Sequence, residues 1–261
     1  MAVLSEESQH IEIDSGSPSD AQLRAAALSG YGHFTAMQVR DRRVRGLDLH
    51  LTRLDAAHQE MFGTGLDPEL LRGHLRHALA ERADASLRAY ARQVDGRPSV
   101  MVTLRPPGGM PDHPWRLQSA PYQRPVAHIK HLGDFGQDYY HRLAVQAGFD
   151  QALLTGPGGI ICEGTITNIG FFDGTGVTWP DAPVLSGTMM QLLDRQLGGV
   201  GLPTRRAQIR MSDLTNVRAA FVTSARGIAP VGRIDDITMG SDPDLMAALR
   251  TAEESVSWDL I

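Results

Sequence analysis

The sequence carries a single lysine, Lys130, among its 25 lysine and arginine residues. A lysine amine can attack an aldehyde and form a Schiff base, whereas an arginine guanidinium stays protonated in proteins. The single lysine is therefore a candidate for chemistry that arginine does not perform. The alternative is that an arginine-rich composition retained one lysine by chance in an ordinary salt bridge.

The composition favours no other reactive site. The one cysteine, Cys162, cannot form an internal disulfide, and the ten histidines show neither an H-E-x-x-H motif nor zinc-ligand spacing. No nearby histidine would activate Cys162, so we interpret it as a small buried side chain. The G-x-S-x-G, G-x-G-x-x-G and P-loop patterns are also missing. The sequence thus predicts no metal site.

Charge and hydropathy bear on partners and compartment. The net charge is −5, and the basic residues are scattered among acidic ones, which gives no stripe for a phosphodiester backbone. The N-terminal residues lack the basic start and apolar run of a signal peptide, and no stretch approaches about 18 apolar residues. Together with the lone cysteine, these features predict a cytoplasmic protein that binds neither nucleic acid nor a membrane.

Apolar spacing predicts the elements that would position these residues. Helical spacing, with proline or glycine near the ends, predicts helices over residues 48–62, 68–83, 138–147, 187–197 and 243–255. Alternation and short apolar runs predict strands over residues 33–40, 99–104, 115–120, 151–154, 160–161, 169–172 and 219–223. The first strand turns at residues 41–43 and resumes at Val44, which is typical of a hairpin.

The order of these elements predicts two domains that mix helices and strands. Residues 1–20 are polar and without periodicity, and we expect a loosely ordered arm there. A smaller α/β domain is expected over residues 21–120. The prolines at 121 and 125 indicate a linker over residues 121–125, and a larger domain is expected over residues 126–261.

Six short motifs, in order along the chain, resemble those of the class IV aminotransferases. They are HLTRL (50–54), IKHL (129–132), GFDQALL (148–154), CEGTITNIGFF (162–172), SGTM (186–189) and VTSARGIAPV (222–231). The resemblance covers roughly residues 30–250. It implies a two-domain fold type IV architecture, with pyridoxal 5′-phosphate (PLP) in the cleft between the domains, and it also implies a homodimer.

The resemblance assigns roles to particular residues. Lys130 would carry PLP as a Schiff base and move the proton of the substrate α-carbon, and Glu163 would keep the pyridine nitrogen protonated. The other implied cofactor-binding residues are Arg53, Thr167, Asn168, Gly187, Thr188, Thr223 and Ser224. Each has an ordinary alternative: a turn glutamate or asparagine, a solvated helix arginine, or polar residues that cap helices and turns.

The motifs distinguish the branches of this family less clearly than they indicate the family itself. The interval from Lys130 to Glu163 and the residues that follow the lysine are most similar to the aminodeoxychorismate lyase branch. Branched-chain aminotransferases carry a tyrosine five residues after the lysine, where this chain has Phe135, so Tyr31, Tyr139 or Tyr140 would have to supply a hydroxyl. Thr35 also resembles the lyase branch, and we predict that Tyr31 and Thr35 contact the substrate.

Three functions therefore stand at this point. The favoured one is a PLP-dependent aminotransferase that moves an amino group between an amino acid or amine and a keto acid. A PLP-dependent lyase that forms 4-aminobenzoate and pyruvate would use the same lysine. A non-catalytic binding module on the same fold is the third, and Lys130 argues against it.

Overall fold

A computed structural model gives the fold of residues 10–111 and 113–261. The helices within these ranges are Asp20–Leu28 (α1), Leu47–Phe62 (α2), Pro68–Leu79 (α3), Phe135–Gln146 (α4), Thr188–Gln196 (α5) and Pro243–Glu254 (α6). The strands of the same ranges are His10–Ile13 (β1), His33–Val39 (β2), Arg43–Arg45 (β3), Ala85–Val94 (β4), Arg97–Arg105 (β5), Trp115–Ala120 (β6), Gln151–Thr155 (β7), Ile161–Gly164 (β8), Asn168–Phe172 (β9), Val177–Pro180 (β10), Thr204–Ala207 (β11), Ala219–Ser224 (β12), Gly227–Ile234 (β13), Ile237–Thr238 (β14) and Trp258–Leu260 (β15).

The contacts between residues divide the chain into two compact units. The N-terminal unit contains residues 10–108, 129–133 and 257–261 of the described chain. The C-terminal unit contains residues 109–128 and 134–256, apart from position 112. Each unit therefore includes segments that are distant in sequence, and the segment of Lys130 belongs to the N-terminal unit.

The N-terminal unit is built on an antiparallel sheet with the strand order β1-β5-β4-β2. Along β2, buried residues such as Met37 and Val39 alternate with half-buried ones, because successive side chains of a strand point to opposite faces. The buried face packs with apolar residues of the helices, including Leu54 of α2 and Leu75 of α3, in one hydrophobic core. This core supports the strand that carries Thr35.

The prediction of a loosely ordered arm is wrong for residues 10–20. Strand β1 pairs with β5, and the carboxylate of Asp14 accepts a hydrogen bond from the amide of Val100 at 2.8 Å. Helix α1 begins at a capping box, in which Ser19 and Gln22 satisfy each other's backbone amides. The polar composition hid a short strand and a capped helix. The part of the predicted arm at residues 1–9 lies outside the described residues.

The structure differs from the sequence prediction at two further elements, strand β4 and helix α3. Strand β4 was not predicted, because its buried face consists largely of small residues such as Ala89 and Ala91, which carry a weak strand signal. Helix α3 ends at Leu79 and not at position 83, since Ala80 adopts a left-handed backbone with φ of 46°. The other predicted helices and strands are present with shifted ends.

The C-terminal unit contains a larger mixed sheet. Its strand order is β11-β10-β9-β12-β13-β6-β7-β8, and β14 pairs with β13. Strand β6 pairs in parallel with β13 and β7, whereas the sequence prediction placed residues 115–120 in the first domain. The reason is burial, since Trp115 and Leu117 lie in the same hydrophobic cluster as Leu153 of β7. Among the described residues, no helix is both long and apolar enough to cross a lipid bilayer.

Candidate functional site

The backbone of Lys130 is held at the edge of the N-terminal sheet. The amide of Phe34 donates a hydrogen bond to the carbonyl of Lys130 at 2.9 Å, and the amide of Leu132 donates to the carbonyl of Gly32 at 2.9 Å. His33 and His131 face each other as an antiparallel bridge. The lysine segment thus extends the sheet beyond β2, and backbone hydrogen bonds fix the start of its side chain.

The amine of Lys130 lies over an aromatic ring. Its Nζ is 4.8 Å from the centroid of the Phe34 ring, a distance at which a cation is attracted to the ring face. Phe34 in turn stacks on Tyr90 of β4, with ring centroids 5.5 Å apart. The amine is therefore half-buried against an apolar support within the N-terminal unit.

Arg53, the predicted phosphate ligand, is tied to Thr35 and to a residue that the sequence analysis missed. The Nη2 of Arg53 donates a hydrogen bond to Thr35 Oγ1 at 2.6 Å. Thr35 Oγ1 also lies 2.7 Å from the Nδ1 of His50. The hydroxyl of Thr35 therefore links the guanidinium of Arg53 to the imidazole of His50.

The electrostatic surroundings of His50 favour its neutral form. Burial lowers the pKa of His50 well below its ordinary value, and the positive charges of Arg53 and Lys130 lower it further. His50 is therefore neutral at physiological pH. The HLTRL motif therefore supplies both Arg53 and the histidine that orients it, and the three-residue spacing from His50 to Arg53 was the available signal.

The two predicted substrate contacts differ in position. Thr35 is fully buried, and its hydroxyl contacts both Arg53 and His50. A substrate contact by Thr35 stays a prediction. Tyr31 is 61% exposed, its hydroxyl donates to the carbonyl of Met61 at 3.3 Å, and its ring meets Phe62 edge to face. A substrate contact by Tyr31 stays a prediction.

A buried histidine pair lies next to the lysine segment. His33 Nε2 and His58 Nδ1 are 3.1 Å apart, and both side chains are almost completely buried. Burial, followed by the charge of His58, lowers the pKa of His33 to about 4. Burial also lowers the pKa of His58, against the opposing effect of Asp55. Both rings are neutral near pH 7, beside the strand that pairs with Lys130.

In the C-terminal unit, Glu163 is a buried carboxylate with a buried cationic partner. It is 5% exposed, and its Oε1 accepts a hydrogen bond from Nη1 of Arg124 at 3.1 Å. Its Oε2 accepts from the amide of Leu185 at 3.1 Å. A guanidinium and a backbone amide thus hold the two carboxylate oxygens in place.

Arg124 is the most informative residue that the sequence analysis missed. It lies in the segment interpreted as a linker, yet it is buried, and its Nη1 also donates to the carbonyl of Ala127 at 2.8 Å. Its Nε donates to Oε1 of Gln137 at 3.0 Å. Gln137 Nε2 then donates to the carbonyl of Thr165 at 2.7 Å. No periodic pattern marks a single buried arginine between prolines.

The loop before α5 connects Glu163 with Asn168. The side-chain amide of Asn168 donates to the carbonyl of Leu185 at 2.7 Å, and the backbone amide of the same Leu185 binds Glu163. Asn168 Oδ1 lies so close to Gly187 that a Cβ at that position would collide with it. The predicted glycine is thus required by close approach of a side chain.

Helix α5 begins at Thr188 with the features of an anion site. Gly187 is its N-cap, and the first amides of a helix have no partners within the helix. Thr188 Oγ1 is buried and has no hydrogen-bond partner within residues 10–111 and 113–261. A buried hydroxyl without a partner costs free energy, and a phosphate oxygen would supply the missing acceptor.

The remaining predicted residues serve the neighbouring turns. Thr167 Oγ1 accepts from Gln151 Nε2 at 2.9 Å, which holds the turn between β8 and β9. Thr223 faces Asn168 across the β9–β12 ladder, and its hydroxyl donates to the carbonyl of Gly227 at 3.3 Å. Ser224 Oγ accepts from the amide of Arg226 at 3.2 Å. Thr167 and Thr223 are buried and engaged with the protein, whereas Ser224 is half-buried.

The predicted residues therefore form two groups. In the N-terminal unit, β2 and its neighbours bring together Lys130, Arg53 and Thr35. In the C-terminal unit, one end of the large sheet brings together Glu163, Thr167, Asn168, Gly187, Thr188, Thr223 and Ser224. Each group contains charged and polar atoms at close distances.

Comparison with known proteins gives the family. The family described as "Amino-transferase class IV" matches residues 32–234. A probable branched-chain-amino-acid aminotransferase from Synechocystis sp. is 29% identical over 117 residues, which cover 44% of this chain and 38% of that protein. The chain thus aligns with well under half the length of this relative.

Solved structures share the fold at low identity. A hypothetical aminotransferase from Mycobacterium tuberculosis, in a PLP-bound form, matches with a TM-score of 0.81 and 19% identity over 94% of this chain and 98% of that one. A putative 4-amino-4-deoxychorismate lyase from Legionella pneumophila matches with a TM-score of 0.76 and 17% identity over 86% of this chain and 91% of that one. These likenesses confirm the predicted fold type IV architecture. With the family match over most of its length, the chain belongs to the class IV aminotransferases.

Proposed function

We propose that the protein is a PLP-dependent aminotransferase that moves an amino group between an amino acid or amine and a keto acid. The observation that carries this proposal is the single lysine of the chain, fixed on a sheet edge beside Phe34 in a member of this family. When bound, PLP supplies an electron sink for charge that develops at the substrate α-carbon.

Lys130 would form the covalent bond to the cofactor aldehyde and carry the α-proton. Its backbone is held by hydrogen bonds at 2.9 Å to its own carbonyl and from the amide of Leu132, so the amine can swing about side-chain torsions without moving the chain. Phe34 gives this amine an apolar support that limits access of water. A base that is held near its target and partly desolvated contributes to proton transfer.

Glu163 would hold a proton at the pyridine nitrogen. It is buried, and Arg124 and the amide of Leu185 hold its two carboxylate oxygens in place. A buried carboxylate attracts such a proton more strongly than an exposed one, because water screens it less. Asn168 supports this role through the loop that also binds Glu163.

The resemblance assigns the cofactor phosphate to Arg53, Thr188 and Ser224, and each is supported by its own surroundings. Arg53 offers a guanidinium oriented by Thr35 and His50, and a guanidinium matches two phosphate oxygens at once. Thr188 offers its buried hydroxyl and the unpaired amides at the start of α5. Ser224 would add a half-buried hydroxyl. The prediction that the cofactor lies in a cleft between two domains stays a prediction.

A lyase of the aminodeoxychorismate type is the second candidate. It is favoured by Phe135, which is 81% exposed and stacks on Tyr139, so position 135 has no hydroxyl to offer. The presence of Thr35 after Phe34 also resembles that branch. The two reactions would share Lys130 and Glu163, and they differ in the fate of the substrate once the α-proton has moved.

Covalent trapping and a substrate screen test the proposal. Reduction with borohydride should fix PLP on one peptide, the one that contains Lys130, and unlabelled protein would contradict the proposal and leave the non-catalytic module. Amino transfer that requires a second keto acid supports the aminotransferase. Release of pyruvate from aminodeoxychorismate without any keto acid would instead assign the lyase.

Assembly and compartment complete the proposal. The family resemblance supports a homodimer with amino and keto acids as its partners, and the single cysteine suits the reducing cytoplasm. Light scattering of the purified protein should give a mass of twice 28.4 kDa. A monomeric mass at working concentrations would contradict the dimer and leave the chemistry untouched.

A further inference from the structure

Residues 257–261 form a segment that returns to the N-terminal unit, and we call it the C-terminal strap. Helix α6 ends at Glu254 in the C-terminal unit, whereas the strap belongs to the N-terminal unit. Strand β15 of the strap pairs antiparallel with β3, which directly precedes α2. The strap therefore meets the chain at the point where α2 begins.

Several contacts hold the strap in place. Trp258 pairs with Arg45 in the ladder, and the guanidinium of Arg45 lies 4.5 Å from the centroid of the Trp258 ring. Ile261 is 4% exposed and belongs to the same hydrophobic core as Leu47 and Leu51 of α2. The strap is thus packed against α2 as a folded part of the N-terminal unit.

The strap supplies the capping group of helix α2. Oδ2 of Asp259 accepts a hydrogen bond at 3.1 Å from the amide of Leu47, the first residue of α2, which is 212 positions away in the sequence. The first amides of a helix have no partners within the helix, and the helix dipole favours a negative charge at this end. Asp259 therefore stabilises the first turn of α2.

Helix α2 does not cap itself. Its N-cap residue is Gly46, which makes no side-chain capping bond. The φ of Gly46 is 67°, a left-handed conformation that serine and threonine, the common capping residues, rarely adopt. The tight turn from β3 into α2 therefore requires glycine where a capping side chain would usually stand, and Asp259 provides the cap from a distant part of the chain.

Helix α2 also carries the two residues that contact Thr35. Its first residue, Leu47, lies about 9 Å along the helix from Arg53, with His50 between them. The amide of His50 donates to the carbonyl of Gly46 at 3.2 Å, so His50 belongs to the first turn. Arg53 and His50 both reach Thr35 of β2 only while α2 keeps its position against that strand. A group that fixes the first turn therefore helps to fix the orientation of Arg53.

We propose that Asp259 is a positioning residue for the cofactor phosphate, because it caps α2 and thereby holds Arg53 in the orientation that binds phosphate. This inference rests on the phosphate role proposed for Arg53. Asp259 acts at the start of α2 and not on the cofactor itself. Its removal should weaken the binding of a phosphorylated ligand and leave the reaction of Lys130 with an aldehyde unchanged.

A comparison of PLP with pyridoxal, which lacks the phosphate, separates this role from a general loss of structure. Fluorescence titration of the full chain, freed of cofactor, measures both Kd values. Asp259→Ala should raise the Kd for PLP about fivefold, the effect of a lost helix cap, and leave the Kd for pyridoxal within about twofold. Asp259→Asn keeps an oxygen that accepts from the amide of Leu47, so both Kd values should stay within about twofold of wild type.

Two controls accompany these variants. Asp236→Ala removes a fully exposed carboxylate that pairs with Arg233, and it should change neither Kd by more than about twofold. Thermal melts verify that each variant is folded. Asp259→Leu keeps the size of the side chain without an acceptor, and it replaces Asp259→Ala if that variant does not fold.

A double-mutant cycle tests whether Asp259 acts through Arg53. Arg53→Met removes the guanidinium and should itself raise the Kd for PLP. Adding Asp259→Ala should then raise this Kd by no more than about twofold, because the guanidinium that it orients is already gone. The full fivefold effect in the Arg53→Met background would show that Asp259 acts by another route.

Four results would overturn the proposal. They are an unchanged Kd for PLP in folded Asp259→Ala, equal weakening of PLP and pyridoxal, no recovery in Asp259→Asn, and independent effects in the double-mutant cycle. A wild-type protein that binds neither aldehyde and carries no label after borohydride reduction would contradict the proposed function itself, and this inference would fall with it. A labelled wild-type protein together with any of the four results would overturn the inference alone.

Discussion

The surroundings of Lys130 and of Glu163 hold their functional groups in different ways. Lys130 is fixed through its backbone at a sheet edge, and its side chain lies half-buried over Phe34. Glu163 is fixed through its side chain, since both carboxylate oxygens accept hydrogen bonds and the whole residue is buried. One arrangement allows the side chain to move, and the other keeps a charge in place.

The difference matches the work proposed for each residue. A lysine that exchanges bonds and carries a proton has to move, so its backbone is the part to hold. A carboxylate that stabilises a fixed proton works best when it does not reorganise. Removing either group should therefore have different consequences, with lost chemistry at Lys130 and lost stability in addition at Glu163.

The largest effect is expected for Lys130→Arg. The variant keeps a positive charge on a long side chain but has no nucleophilic amine, so activity should fall at least about 10³-fold while the fold is retained. Activity assays, borohydride trapping and a thermal melt measure the three properties. A variant that still binds PLP covalently would contradict the role assigned to Lys130, because the chain has no second lysine.

Glu163→Gln should lower the free energy of unfolding by about 3 kcal/mol, because it leaves Arg124 buried beside a neutral side chain. The glutamine can still accept from the amide of Leu185, so the effect isolates the charge. Urea unfolding measures it. The matched control Glu69→Gln breaks a pair whose glutamate is 72% exposed, and it should cost less than about 1 kcal/mol. Equal losses of unfolding free energy in the two variants would show that the buried pair of Glu163 contributes no more than an exposed one.

The histidine pair beside the lysine segment predicts a pH dependence of stability. His33 titrates at about 4 in the folded protein, against 6.5 as its ordinary value. Between these values the unfolded chain binds more protons, so the free energy of unfolding should fall by about 3 kcal/mol as the pH drops from 6.5 to 4. Below about pH 4 this contribution stops changing.

Urea unfolding between pH 3.5 and 7.5 measures this slope. His33→Gln should flatten it, since the group that takes up the proton on unfolding is gone. The lowered pKa of His58 adds a loss of the same sign as the pH falls. A slope that is the same in wild type and His33→Gln would rule out His33 as its source.

The smallest effect is expected for Thr35→Val, which removes the hydroxyl between Arg53 and His50. Arg53 would lose its orientation, and the Kd for PLP should rise about tenfold, which corresponds to the loss of one charge-assisted hydrogen bond. Fluorescence titration measures it, and Thr35→Ser should restore affinity. The control Thr52→Val, at an exposed position of α2, should change nothing.

Much of the local structure was predictable because it depends on local patterns. Helix α2 follows from apolar spacing and ends at Gly63, whose φ is 74°. Strand β9 follows from a short apolar run. By contrast, the capped helix α1 was missed because polar and small residues form it, and the alanine-rich strand β4 was missed because the burial of its small residues depends on neighbouring strands.

The candidate site divides in a similar way. Residue types and motif order indicated Lys130, Arg53 and Glu163 without coordinates. The partners of these residues were not predictable, because Arg124 and Glu163 are 39 positions apart and the amide of Phe34 binds a carbonyl almost a hundred positions away. Such pairings leave no repeat in the sequence.

By itself, the sequence determined which chemistry is possible, since a single amine and an ordered motif series do not depend on packing. The tertiary structure decided which groups are charged, oriented or buried. Burial made His50 neutral where it contacts Thr35, and it enclosed Glu163 with an arginine from an expected linker. The physical reason is that desolvation and charge pairing act through distance in space, and chain folding sets that distance.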